Sequence, residues 1–169
     1  MVDVRVVDLT GPVLRALAAG DLAAANAVGP VPLTPYFAAP DQRPLWRLRV
    51  RQLTADPASA GWWTGVIWAE AIGLAVGHAG FHGPPDDDGL VEIGYAVDPE
   101  HRRRGYAGAA LAVLLRRVAE DPAVRTVRLS IRPDNAVSRR LAARHGFVRT
   151  GEQWDEEDGL EHVFERPAR

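Results

Sequence analysis

Apolar residues recur with two different periods along this chain, and each change of period marks a change of element. Residues 2–9 alternate and predict a first strand. Thr10, Gly11 and Pro12 then offer a helix start, because proline lacks only an N–H that a first helical turn leaves unused. Residues 29–44 hold five prolines and no clear period, which predicts an irregular segment. Leu45, Leu48 and Leu53, with Trp46 and Gln52, predict a short helix ending before Pro57. Residues 62–68 and 71–81 read as a hairpin that turns near Glu70. Residues 83–89 are almost wholly turn formers, and residues 90–98 read as the next strand, stopped by Pro99.

Beyond Pro99 the period lengthens. Ala107, Leu111, Leu114, Leu115 and Val118 repeat at helical spacing and predict a helix over 105–120. Residues 126–131 alternate as a strand, and residues 135–144 read as a second helix with Gly146 as its stop. Residues 147–154 and 159–166 read as closing strands joined by an acidic turn. The order is β-α-α-β-β-β-α-β-α-β-β, an α/β (α+β) class, and a chain of 169 residues fits one domain, 1–169.

Composition removes several function classes. A hydrophobic share of 47% and a charged share of 25% are those of an ordinary globular protein. No apolar run approaches the roughly 18 residues of a membrane span, and the first five residues lack the basic and apolar regions of a signal peptide, so a cytoplasmic protein is expected. The absence of cysteine excludes disulfides, thiolate ligands and an acyl-cysteine route. A net charge of −2 and a pI near 6.2 speak against a general nucleic-acid binder. The histidines at 78, 82, 101, 145 and 162 form no ligand-spaced set, so no metal is expected; His78 and His82 read as ordinary polar positions, with a strand face near the substrate as the alternative.

One segment departs from what stability alone favours. A helix N-terminus carries partial positive charge and free N–H groups, yet Arg102, Arg103 and Arg104 set three cations before the helix that starts at Gly105. An anion in front of them removes the conflict, and Gly105 and Ala107 keep the backbone accessible to phosphate oxygens. Neither the phosphate loop of nucleotide hydrolases nor Gly-x-Gly-x-x-Gly occurs here. A solvated arginine turn is the plainer alternative.

Arg102-Arg103-Arg104-Gly105-Tyr106-Ala107 resembles the Gln/Arg-x-x-Gly-x-Gly/Ala signature of the GNAT superfamily of acyl-CoA-dependent N-acetyltransferases. Residues 92–99 before it, Ala110 and Leu111 after it, and Asn135, Ser138, Gly146 and Phe147 downstream extend the likeness over residues 90–150. It is nearest the branch that acetylates ribosomal-protein N-termini. The resemblance implies a mostly antiparallel sheet whose central strands splay, with a bulge in the strand matching residues 90–97. The pantetheine arm of acetyl-CoA, the co-substrate, lies in that gap. Backbone groups of Ala96 and Val97 would hold the arm, and Arg102, Arg103, Arg104, Gly105, Tyr106 and Ala107 the pyrophosphate, chiefly through amides. Asn135 and Ser138 would also contact the cofactor. Homodimers are common in the family.

Catalysis needs a neutral amine and a proton for the departing thiolate. Glu92 matches a glutamate often present in this strand and shares a face with Gly94 and Ala96, so it is the base candidate, acting through water or stabilising the bound ammonium. A solvent-facing strand glutamate is its alternative. The tyrosine that many relatives use as general acid is replaced by Ala142, and Ser138 resembles the serine that lies near the sulfur in the N-terminal branch. A plain helix serine is the alternative there. The acceptor is a primary amine, either a protein or peptide N-terminus or a small molecule. A non-catalytic acyl-CoA sensor or scaffold is the competing function. Residues 29–54, the loop before Leu90 and the acidic turn 155–158 would set the acceptor.

Overall fold

Alternation along the strands sorts side chains to two faces, and each face has its own helices. The computed structural model describes residues 2–169. Strands β1 (Val4–Val7), β2 (Gly65–Ala69), β3 (Leu74–Phe81), β4 (Leu90–Val97), β5 (Thr126–Ile131), β6 (Val148–Asp155) and β7 (Gly159–Pro167) form one sheet ordered β1-β2-β3-β4-β5-β7-β6. All neighbours are antiparallel except β4 and β5, which are parallel. That pair is joined through helix α5 (Tyr106–Glu120), the long crossover a parallel connection requires.

Ile67 and Val66 are neighbours in β2 and so point to opposite faces, and they belong to separate cores. Ile67, Phe81, Val91, Ile93, Val127 and Leu129 pack under α5, whose Ala110, Leu111, Leu114 and Val118 are buried. Helix α6 (Ala136–Arg144) joins this face through Ala142. The other face carries α1 (Gly11–Ala19), α2 (Leu22–Val28), α3 (Pro35–Ala38) and α4 (Arg43–Ala55), which enclose Leu14, Leu17, Phe37 and Trp46 against Val66 and Ala75. Each such buried side chain contributes about 1.5–3 kcal/mol.

The N-terminal third has more helix than its pattern predicts. Gly20, at φ 77, closes α1, and Asp21 restarts the chain as α2 by accepting from the Ala24 N–H at 2.8 Å. The proline-rich segment 29–44 contains α3 and is pinned. Asn26 bonds both backbone groups of Leu33, at 2.7 and 3.0 Å, and Trp46 Nε1 donates to the Phe37 carbonyl at 2.7 Å. Trp62 ends a 3-10 turn, Pro57–Trp62, and does not begin a strand. No register break interrupts β3 against β4 from Gly77↔Val97 to Phe81↔Ile93, so the bulge expected in β4 is absent. A shift lies instead between Ile67 and Trp68 in β2.

Candidate active site

Strands β4 and β5 pair at Leu90↔Thr126, Val91↔Val127 and Glu92↔Arg128, and then separate. Beyond Glu92, β4 follows β3, while Leu129, Ser130 and Ile131 follow β7. The splay comes from these competing partners. It opens a cavity of about 320 Å³ through the sheet.

On the α1–α4 side the cavity is acidic. Glu92 carries a side chain 20% exposed, and its Oε1 lies 3.7 Å from His82 Nδ1. Gly94 is the space that the imidazole occupies, since a Cβ there would come within 2.6 Å of His82 Nε2. Burial pushes the His82 pKa below its ordinary 6.5, Glu92 and Asp155 oppose this, and the charge of Arg49 adds to it. The ring is therefore neutral near pH 7. Glu161 is buried, and burial raises its carboxyl pKa against the Gln153 Nε2 bond at 3.0 Å; Gln153 also donates to Ser130 Oγ at 3.0 Å. The N–H groups of Asp158 and Glu157 hold Asp155 in its charged form. Glu92, Asp155, Asp158 and Glu161 all line the cavity, and no arginine does.

On the α5–α6 side the polar lining is Tyr95, Asn135 and Ser138, beside apolar Ile93, Leu129 and Ile131. Asn135 caps α6, with its Oδ1 accepting the Ser138 N–H at 3.1 Å, and this leaves the serine hydroxyl unused by the cap. Burial raises the Tyr95 phenol pKa, with the Ser138 side chain pulling against it. Ala142 is fully buried in the core and lies outside the cavity lining, so that position offers no room for a tyrosine facing the gap.

The arginine loop follows β4. A 3-10 turn, Pro99–His101, leads to Arg102, whose Nε donates to the Val97 carbonyl at 3.0 Å. Arg103 at φ 61 and Gly105 at φ 87 are both left-handed, and α5 starts with no side-chain cap and no acid in its first turn. A non-glycine residue held left-handed costs about 1–2 kcal/mol, and the unsatisfied N–H groups it helps gather suit an anion. Tyr106 is buried in the core and packs. Glu92, Asn135 and Ser138 thus meet in one cavity, while Ala96, Val97 and residues 102–107 lie outside its lining, at and beyond the end of β4.

Tyr95, Ser130, Gln153 and Glu161 escaped the sequence reading, and His82 entered it only as the alternative to an ordinary polar position. Glu161 and His82 each had a signal. Glu161 shares its strand parity with buried Val163, which makes it an inward charge, and His82 shares a face with Glu92 once β3 and β4 are in register.

An open mixed sheet with parted central strands and a cationic loop before the crossover helix defines the architecture of an acyl-CoA-dependent transferase. Residues 13–148 match the Acetyltransferase (GNAT) domain, and the chain belongs to this family. It is 37% identical over 97 residues to L-2,4-diaminobutyric acid acetyltransferase of Streptomyces anulatus, covering 52% of this chain and 55% of that one. The chain spans about half the length of the curated relatives it matches. Microcin C7 self-immunity acetyltransferase MccE, solved with acetyl-CoA and AMP, shares the fold at TM-score 0.67 and 14% identity, over 98% of this chain and 92% of that one. Ribosomal-protein-S5-alanine acetyltransferase of Vibrio fischeri does so at TM-score 0.66 and 16% identity, over 98% and 92%.

Proposed function

We propose that the protein transfers the acetyl group of acetyl-CoA to a cationic primary amine by direct attack within a ternary complex. The observation that carries this reading is the cavity through the parted strands, with Glu92 and His82 on one side and Ser138 and Asn135 on the other. The left-handed pair at Arg103 and Gly105 and the uncapped start of α5 suit the pyrophosphate, held by residues 102–107. The free edge of β4 beyond Glu92 suits the amide-rich arm along Ala96 and Val97.

The chemistry follows from the two sides. The amine nitrogen attacks the thioester carbonyl carbon, a C–N bond forms and the C–S bond breaks. Glu92, backed by neutral His82, stabilises the bound ammonium and takes its proton through water. Ser138 donates a hydrogen bond to the departing thiolate. Four carboxylates without a lining arginine favour an acceptor whose positive charge exceeds that of one ammonium. A diamine without a carboxylate suits them best; 2,4-diaminobutyric acid, named for the Streptomyces relative, brings a second ammonium but also a carboxylate. A ribosomal protein, the acceptor named for the Vibrio structure, also offers the required amine at its N-terminus. A carboxylate–imidazole pair inside the cavity is what favours turnover over a silent acyl-CoA sensor.

Isothermal titration with acetyl-CoA, with ATP and NADH as controls, tests the cofactor, and thiol release across a panel of diamines, amino acids and N-terminal peptides tests the acceptor. Selective binding followed by thiol release with diamines is the expected result. No binding of acetyl-CoA overturns the loop assignment, and binding without release for any amine favours the sensor.

A further inference from the structure

The hydroxyl of Tyr95 is buried and makes no hydrogen bond, whereas Gln153, Ser130 and Glu161 of the same cavity bond one another. Unpaired buried hydroxyls are uncommon, and one that borders a cavity asks for a partner. Tyr95 lies on β4 opposite Ala79, beyond the last β4–β5 pair at Glu92, so it stands where the strands have already parted. Its ring packs against the α5-side core, which fixes the direction of its hydroxyl. Ser138 lines the same cavity as Tyr95, and its side chain draws the phenol pKa down against burial.

From this geometry we propose that Tyr95 is a positioning residue that donates to the Ser138 hydroxyl and turns the serine proton toward the departing sulfur. The inference rests on the reading of the cavity as the thioester site. A serine hydroxyl has one proton and can accept as well as donate. Left alone on the first turn of α6, it would point that proton back at a helix carbonyl. A phenol that donates to its oxygen leaves the serine proton free for sulfur. Burial keeps the phenol protonated, so it serves as a donor. No proton leaves Tyr95 in the cycle. The thiolate formed when the C–S bond breaks is stabilised by the Ser138 O–H, and the proton released by the amine balances the thiol product. Since Ala142 is sealed in the core, the pair occupies the role that an α6 tyrosine would otherwise fill.

Tyr95→Phe keeps the ring and removes only the unpaired hydroxyl, so the fold should persist with an unchanged or higher melting temperature. Two readouts test the role. In turnover, Tyr95→Phe should lower kcat roughly tenfold at unchanged KM for acetyl-CoA, and Tyr95→Phe combined with Ser138→Ala should be no slower than Ser138→Ala alone. In binding, which needs no acceptor, the thiol pKa of bound CoA, followed by thiolate absorbance, should rise by about one unit in Tyr95→Phe. Wild-type kcat and thiol pKa in Tyr95→Phe, or losses that add to those of Ser138→Ala, overturn the proposal and return Tyr95 to packing. Failure of the wild-type protein to bind CoA overturns the cofactor reading and the Tyr95 role together, an outcome distinct from CoA bound alike by wild type and variant.

Discussion

Arg49 lies outside the cavity, yet its charge reaches His82 inside it. It is 4% exposed and pairs with no carboxylate among the described residues; it donates to Thr64 at 2.8 Å and Gln52 at 2.7 Å, and lies 5.8 Å over the Trp63 ring. Burial lowers its own pKa to about 10, and its charge lowers that of His82. Glu92 acts on His82 with the opposite sign. If neutral His82 is needed for turnover, the acid limb of kcat/KM lies below pH 6.5. Arg49→Met should move that limb to higher pH, and Glu92→Gln should move it lower while cutting kcat roughly 10- to 100-fold. Parallel pH–rate profiles of the two variants check the signs.

At the scale of elements, α3 and α4 form a roof over β3. His78 Nε2 lies 3.1 Å from Gln42 Oε1, and its ring is T-shaped to Trp46 and stacked on Tyr36. Burial lowers its pKa from 6.5 to about 4. The unfolded chain therefore takes up the proton first, so stability falls as pH drops through 6.5 and levels off near 4. The loss is at most about 3 kcal/mol, trimmed by the ring's residual contact with water. Denaturation midpoints between pH 7 and 4 should show it, and His78→Phe should flatten the curve. The α5 start has its own test. Gly105→Val forces a β-branched residue to φ 87, with its Cβ 3.2 Å from Val2, and should weaken CoA binding more than tenfold by calorimetry. The two tests separate the roof from the cofactor loop.

Over the whole molecule, charge is segregated although the sum is only −2. Arginines stand before α5, whereas Asp155 and Asp158 of the β6–β7 turn border the other side of the cavity. On the proposed function, such a division would steer a polyanionic cofactor and a cationic acceptor to different sides of the sheet. Asp155→Asn with Asp158→Asn should raise KM for a diamine severalfold, reduce its dependence on ionic strength and leave KM for acetyl-CoA unchanged. Initial rates at two salt concentrations decide it. No helix among the described residues is long and apolar enough to cross a membrane.

Much of this was legible in the sequence because it is local. The 3.6-residue repeat from Tyr106 to Val118, the arginine-glycine loop and the alternation around Glu92 each arise within one element, where backbone geometry dictates the spacing. The boundary at Gly20 and Asp21 was hidden inside an alanine-rich run, and α3 was masked by prolines that begin helices as readily as they end them. Tertiary structure alone decided which side chains meet in the cavity. The register His82 to Glu92 lies across a long turn, the placing of β7 between β5 and β6 brings Glu161 and Gln153 to the cavity, and the packing of α6 faces Ser138 toward Tyr95. Register and strand order are settled by which faces bury together across the chain, and no local period records that choice.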